Sequence, residues 1–300
     1  ASKRSAGTTL EFQGRTWSVQ EASASSFHDI DIAFFSAGAT RSRDLVPHAR
    51  AAGALVIDNS SAFRMDENVP LVVPEVNPAT LRTHEGLVAN PNCVAAILTV
   101  AIAPLRALGS FQRLIVATYQ SASGAGARAM EDLLVQTRAS LAGDEVVPAV
   151  LPHPYAFNLF SHDSAVEANG YNGEENKVMN ETRKILGDPS LEMSITCVRV
   201  PVLRAHTEVV HLTFEHPINI SDVREALSHA DGVQLIDKPD QNHFPMPNEA
   251  TGKDDVMVGR LRLDAGNPCA LNMMICGDQL LKGAALNAVQ IAETLKLNVN

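Results

Sequence analysis

Four short apolar runs constrain the first third of this chain more than any other feature. Residues 29–38 (Asp-Ile-Asp-Ile-Ala-Phe-Phe-Ser-Ala-Gly) read as a buried strand closing in a small-residue turn. Residues 54–58, 71–77 and 87–89 read as further strands, and 41–52 as a helix between the first two. Short apolar strands alternating with a helix are the pattern of a parallel sheet with crossover connections. In such sheets ligands sit beyond the carboxyl ends of the strands. Three segments fall at those ends: Ser36-Ala37-Gly38, the stretch from Asn59 to Arg64, and Asn90-Pro91-Asn92-Cys93.

The last segment carries the sharpest chemical signal. Pro91 has no backbone donor and holds Asn90 extended. Residues 94–107 are dense in Ala, Leu, Ile and Val, long enough for a buried helix. Cys93 therefore stands at a helix start, where unpaired N–H groups and the macrodipole favour a thiolate nucleophile. The alternative is a small buried apolar side chain, the commoner fate of a cysteine.

Composition changes after this helix. Residues 113–120 form a strand that runs into Ser121-Ala122-Ser123-Gly124-Ala125-Gly126 and a helix over 127–139. A small-residue loop before a helix start suits an anion or a cofactor amide. The Gly-Lys-Ser/Thr ending of a P-loop is absent. Residues 143–173 are loop-rich, and 174–186 read as a helix. Strands follow over 192–202, 207–215, 256–263 and 270–276. Their period-two alternation implies an antiparallel sheet with one packed face. Ser221 is expected to cap a helix reaching Ala230, and a last helix spans 280–295. The expected division is therefore a parallel α/β unit, residues 1–92 completed by 275–300, and an α+β unit over 93–274.

The net charge of −10 argues against a general nucleic-acid surface. The four cysteines form no Cys-x-x-Cys pair, and a chain of 300 residues needs no disulfide staples. Reduced thiols in the cytoplasm are expected. No apolar run approaches the ~18–20 residues of a membrane span, and no apolar run follows Ala1-Ser2-Lys3-Arg4-Ser5 as in a signal peptide.

Several side chains have the chemistry to serve Cys93. His206 can move protons near neutral pH, and a cysteine nucleophile needs such a partner. Arg199 and His206 would face opposite sides of one strict strand. Pro201 and the following turn break that strand and let both reach one cleft. Arg199 can grip a carboxylate at two points, or form a surface ion pair. Arg64 can hold phosphate or be a solvated loop charge. Glu174 and Lys177 meet on one helix face, as a site or as an exposed pair. Gln120 can orient a carbonyl or satisfy a loop. Ser2, Arg4 and Ser5 form a basic, hydroxyl-bearing cluster or an exposed tail. No zinc motif appears.

Together these segments resemble the aspartate-semialdehyde dehydrogenase family over nearly the whole chain. The carriers are Asn90-Pro91-Asn92-Cys93, Thr118-Tyr119-Gln120 with Ser123-Gly124-Ala125-Gly126, and Arg199-Val200-Pro201-Val202 with His206. The stretches 58–64, 73–78, 252–256 and 282–292 add to them, and the order and spacing are specific. The resemblance implies a Rossmann-like NADP-binding domain and an α+β catalytic and dimerisation domain with a mixed or antiparallel sheet. It implies Cys93 as nucleophile, His206 as general acid/base and Gln120 orienting a thioacyl intermediate. Arg199 would bind the substrate α-carboxylate and Glu174 its amino group, while Arg64, Asn92 and Lys177 hold phosphate. Ser2, Arg4 and Ser5 would grip the 2′-phosphate of NADP. Ser36, Ala37, Gly38, Ser123 and Gly124 would line the cofactor site, with Gln279 next to the nicotinamide. No metal is implied. The reaction would interconvert L-aspartate 4-semialdehyde, phosphate and NADP⁺ with 4-aspartyl phosphate and NADPH. It would serve lysine, threonine and methionine synthesis, in a homodimer or homotetramer.

The family also begins with a strand, a Gly-x-x-Gly-x-x-Gly turn and a helix that these residues lack. The chain is thus expected to be a fragment of a family member with impaired cofactor binding. Smaller departures are Val94, where Ser or Thr is common, and Gln279, where Asn is common. Three rivals stand beside this expectation. N-acetyl-glutamyl-phosphate reductase usually carries Asn-Pro-Gly-Cys, against which Asn92 argues. A non-catalytic, dimerising relic would need no cofactor, and a thiol hydrolase would need no dinucleotide site.

Overall fold

The structure, a computed structural model, describes residue 3 and residues 5–297. A hairpin of β1 (Thr9–Phe12) and β2 (Arg15–Ser18) turns at Gly14. It precedes a three-stranded parallel sheet ordered β3 (Ile32–Phe35), β4 (Leu55–Asp58), β5 (Leu87–Ala89), with α1 (Ala39–Ala51) crossing between β3 and β4. One face packs Phe35, Val56 and Leu87 against Val46 and Ala49 of α1. The other packs Ile57 and Val88 against Ala288 and Ile291 of the last helix. Inside the sheet, buried Asp58 accepts from the Ser42 and Ser60 hydroxyls and the Ser60 amide, tying α1 to the end of β4.

Two expectations for this region are corrected. Residues 71–77 are not a strand: they make one bridge, Leu71 to Ala89. Pro70 and Pro74 lack donors, and Asn77 folds the segment by accepting from Val73 N and donating to Leu71 O. The first strand is not buried throughout, because Ile32 and Phe34 face outward and are exposed.

The chain then builds a seven-stranded mixed sheet. Its elements are α2 (Cys93–Ile102), β6 (Phe111–Gln120), α3 (Ala127–Ala142), β7 (Phe160–Ser161), α4 (Gly173–Leu186), β8 (Glu192–Arg199), β9 (His206–Phe214), α5 (Ile220–Ser228), β10 (Val233–Leu235), α6 (Pro247–Ala250), β11 (Val256–Leu263) and β12 (Ala270–Gly277). The order is β10-β11-β12-β9-β6-β8-β7, with β6–β8 and β10–β11 parallel and the other pairs antiparallel. α2 and α4 cover one face, where Val116, Ile195, Val210, Leu212 and Met273 join the main core. Ile115, Tyr119 and Val209 line the other face and are exposed. α7 (Leu286–Leu297) then returns to the parallel sheet.

Proline and backbone geometry account for the shifted boundaries. The helix expected to reach residue 107 stops at Ile102 and tightens into a 3₁₀ turn around Pro104. The strand expected to reach 202 ends at Arg199, before Pro201. Asn219, not Ser221, stands at the start of α5, and no side chain caps it. A π-helical turn over Leu281–Ala285 precedes α7. β12 stays in the larger sheet through Gly277, three residues past the expected boundary at 274. Among the described residues no helix is long and apolar enough to cross a membrane.

Candidate active site

Strand register sets out the site. Gln120 pairs with Arg199 across β6 and β8, and His206 pairs with Gly277 across β9 and β12. Gln120, Arg199 and His206 are all buried and project from neighbouring strand ends on the face that α2 covers. Arg199 and His206 lie on separate strands, joined by a turn through residues 200–205, so the odd spacing between them does not split them.

α2 begins above this row. Asn92 Oδ1 accepts from Val94 N (2.9 Å) and Ala95 N (3.3 Å), satisfying two of the helix's free donors. Its Nδ2 donates to Glu174 Oε1 (2.8 Å). The helix can approach the sheet because residue 277 is glycine: a Cβ there would lie 3.0 Å from Ile97. Gly283 presses on the other side, where a Cβ would lie 2.8 Å from that of Cys93.

Cys93 lines a cavity of about 230 Å³ with Ser36, Asn59, Arg64, Asn92, Ser123, Gly124 and Gln279. This cavity joins the end of the parallel sheet to the end of the mixed one. His206 lies behind Gly124, where a Cβ would come within 2.9 Å of the imidazole Cε1 and 3.3 Å of an Arg199 terminal nitrogen. Ser121 N donates to His206 Nδ1 (3.1 Å). A backbone amide can only donate, so the neutral ring carries its proton on Nε2.

The expected thiolate is corrected. Burial, then the Glu174 carboxylate, pushes the Cys93 thiol up to about 12, against the pull of Arg64, the Val94 amide and Arg199. Burial, then Arg199, pushes His206 down to about 3. Without ligand the pair is therefore a thiol and a neutral imidazole. Desolvation outweighs the helix terminus.

The charged side chains form a connected shell. Arg64 donates from Nε to Asn90 O (2.9 Å), from Nη1 to Glu181 (3.1 Å) and from Nη2 to Asn59 O (2.7 Å). Glu181 also accepts from Asn92 N (2.6 Å). Lys177 pairs with Glu174 at 3.3 Å and, with Arg64, lines a neighbouring polar cavity of about 620 Å³. Burial opposes ionisation of Glu174, but nearby His162 and Lys177, with hydrogen bonds from Asn92 and Lys177, hold its carboxyl below the usual range. Arg199 donates from Nε to Asp163 at 3.0 Å. Burial works against the Asp163 charge too, and Arg199 overcomes it.

The nucleotide candidates divide. Ser36, Ser123, Gly124 and Gln279 share the cavity with Cys93. Gln279 donates to the Ser123 hydroxyl and accepts from Ala205 N. Ala37 and Gly38 follow Ser36 at the start of α1, where Gly38 takes φ +88° and no side chain caps the helix. Ser5 lies at the turn before β1, where its carbonyl accepts from Thr8, and it does not line the Cys93 cavity. Ser2 and Arg4 lie outside the described residues. No group of three or more metal-ligating side chains gathers among the described residues.

Sequence reasoning missed Glu181, Asp163, Ser121 and Gly283. Glu181 was within reach, since it falls seven residues after Glu174 and so on the same helix face. Asp163 sits in an irregular loop and left no periodic signal.

Residues 1–84 match the family profile "Semialdehyde dehydrogenase, NAD binding domain", and residues 102–282 match "Semialdehyde dehydrogenase, dimerisation domain". Fold and site thus define a semialdehyde dehydrogenase, an oxidoreductase with a nucleotide-binding unit. The aspartate-semialdehyde dehydrogenase of Synechocystis sp. is 51% identical over 98% of this chain and 87% of its own length. The structure of aspartate semialdehyde dehydrogenase II complexed with ASA from Vibrio cholerae superposes with TM-score 0.94, at 40% identity over 98% of this chain and 88% of that one. The Candida albicans enzyme with NADP superposes with TM-score 0.77, at 25% identity over 99% and 89%. The chain belongs to the aspartate-semialdehyde dehydrogenase family.

Proposed function

We propose that this chain reduces L-4-aspartyl phosphate to L-aspartate 4-semialdehyde, reversibly, through a thioester on Cys93. The observation that carries this reading is one cavity holding the Cys93 thiol and backed by the Arg199, Gln120 and His206 row. Arg199 takes the substrate α-carboxylate with its planar fork, and Glu174 takes the ammonium group. Arg64, Asn92 and Lys177 receive the phosphate. The sulfur then lies against the acyl carbon. The S–C bond forms, the C–O bond to phosphate breaks, and the thiol proton leaves with the phosphate. Gln120 keeps the thioester carbonyl in place. NADP(H), when bound, supplies or accepts the hydride. The oxyanion of the tetrahedral adduct accepts from the His206 Nε2–H; its collapse breaks the C–S bond and frees the aldehyde, and the departing sulfur takes a proton from water to restore the thiol.

The residues present suit a nicotinamide cofactor. Ser36 at the end of the parallel sheet and Gln279, Ser123 and Gly124 near the sulfur open onto the same space, and the uncapped start of α1 suits an anionic group. Ser2, Arg4 and Ser5 are assigned to the 2′-phosphate, which makes the cofactor NADP. Residues 1–92 with the C-terminal helix form the nucleotide unit, and the stretch between them forms the catalytic unit. The open outer face of the larger sheet pairs two copies into a homodimer, or dimers into a homotetramer. The product feeds lysine, threonine and methionine synthesis in the cytoplasm, where four free thiols stay reduced.

The test is NADP reduction followed by absorbance with aspartate semialdehyde. Turnover requiring both phosphate and NADP is expected. Cys93→Ser is expected to abolish it while circular dichroism stays unchanged. Comparable rates in the two proteins refute the assignment.

A further inference from the structure

A second row of side chains lies beneath the first on the same sheet face. It comprises Cys197, Thr118, Glu208 and Ile275, joined by the register pairs Thr118–Cys197, Thr118–Glu208 and Ile275–Glu208. Glu208 is fully buried, and both carboxyl oxygens lack a hydrogen-bond partner among the described residues. Gln120, in the row above, is also buried, and its Nε2 lacks a partner among the described residues. Thr118 is two residues before Gln120 and directly opposite Glu208, so Gln120 and Glu208 are diagonal cross-strand neighbours. Such pairs stand about 7–8 Å apart at the backbone, within reach of two long side chains. One has a spare donor and the other a spare acceptor.

We propose that Glu208 is a positioning residue for the reaction. It accepts from Gln120 Nε2 through one bridging water, and so fixes the Gln120 amide with Oε1 left for the substrate. The acid is uncharged in this role, and the Thr118 hydroxyl directly opposite, itself without a partner among the described residues, shares the same unfilled polar spot. Burial alone raises the Glu208 carboxyl well above its ordinary range. Its titratable neighbours on β8 and β12 are Cys197 and Cys276, both neutral thiols held up by burial. A carboxyl kept only for packing has no reason to be here, since an apolar side chain would fill the same core without unpaired polar atoms.

The proposal rests on Gln120 acting in the Cys93 reaction, and its test separates the two. Glu208→Met fills the space without polar atoms, and Glu208→Gln keeps a polar end that cannot ionise. With phosphate, NADP and aspartate semialdehyde, Glu208→Met is expected to lower kcat about tenfold with KM unchanged. Its melting temperature should hold or rise. Glu208→Gln should recover kcat to within about threefold. In a Gln120→Ala background the Glu208→Met loss should vanish, because the two act as one unit. Wild-type infrared spectra should show a protonated carboxyl band that Glu208→Gln removes. Wild-type kcat in Glu208→Met, an undiminished loss in the Gln120→Ala background, or no such band overturns the proposal. None of these outcomes bears on Cys93, whose own substitution tests the reaction itself. If Glu208→Met fails to fold, the band and the Glu208→Gln rate still decide.

Discussion

Gly283 lies so close to Cys93 that a methyl group on residue 283 would come 2.8 Å from the cysteine Cβ and 3.2 Å from its Cα. Those contacts are backbone and the first carbon of a side chain, so little can swing aside. Gly283→Ala therefore shifts the start of α2 or the π-helical turn. The expected outcome is about 1–3 kcal/mol of lost stability, with a fall in kcat larger than any change in KM. Thermal melts and steady-state kinetics on the same protein check it.

Arg199→Lys keeps the charge but loses the planar fork. The KM for aspartate semialdehyde should rise about tenfold or more, with a smaller effect on kcat. Nε of Arg199 is already engaged by Asp163, so Asp163→Asn should give a milder shift of the same kind. An unchanged KM in Arg199→Lys would remove that residue from substrate binding.

Neutral His206 makes folding depend on acidity. Its folded value is depressed to about 3 from 6.5, so the unfolded chain binds the proton first as pH falls. The stabilisation is complete above 6.5 and drains away as pH drops towards 3. His206→Asn should flatten the acid limb of the stability curve between those values. Urea melts at a series of pH values read this directly.

The Cys93 thiol runs the other way. Its folded value is raised from 9.0 to about 12, so the stabilisation is present below 9.0 and is lost as pH climbs towards 12. In the ligand-free protein at neutral pH, iodoacetamide should modify Cys93 more slowly than an exposed thiol of ordinary acidity. Mass spectrometry of the peptide carrying residue 93 gives the rate, and fast modification would show that the thiol is not held protonated.

Lys282 is buried and bonds to Glu75, Asn287 and Gln290. Removing it leaves the Glu75 carboxylate without its cation. Lys282→Ala should cost about 3–5 kcal/mol, and Glu75→Gln in the same protein should return part of the loss. Chemical denaturation of the single and double variants tests this.

Local chemistry was legible in the letters, and packing was not. Asn92 and Cys93 announced a helix start, and the alternation in 207–215 gave the two faces of β9 correctly. The run 71–77 misled because three apolar residues between prolines look like a strand, and only the Asn77 side chain shows why they turn. The charge state of Cys93 misled for a different reason. A helix terminus is a local feature, whereas the burial that outweighs it comes from elements far along the chain. Glu208 was passed over although the same alternation sets it on the packed face with Val210, Leu212 and Phe214, because no apolar pattern says what an acid on that face would do.

Arg199, Gln120 and His206 take their mutual spacing from the hydrogen-bond ladder of three adjacent strands. That spacing belongs to the main chain and survives any exchange of side chains. New acyl groups are therefore open to such a scaffold one residue at a time, whereas a slip of one strand by a single residue would disarm all three positions together.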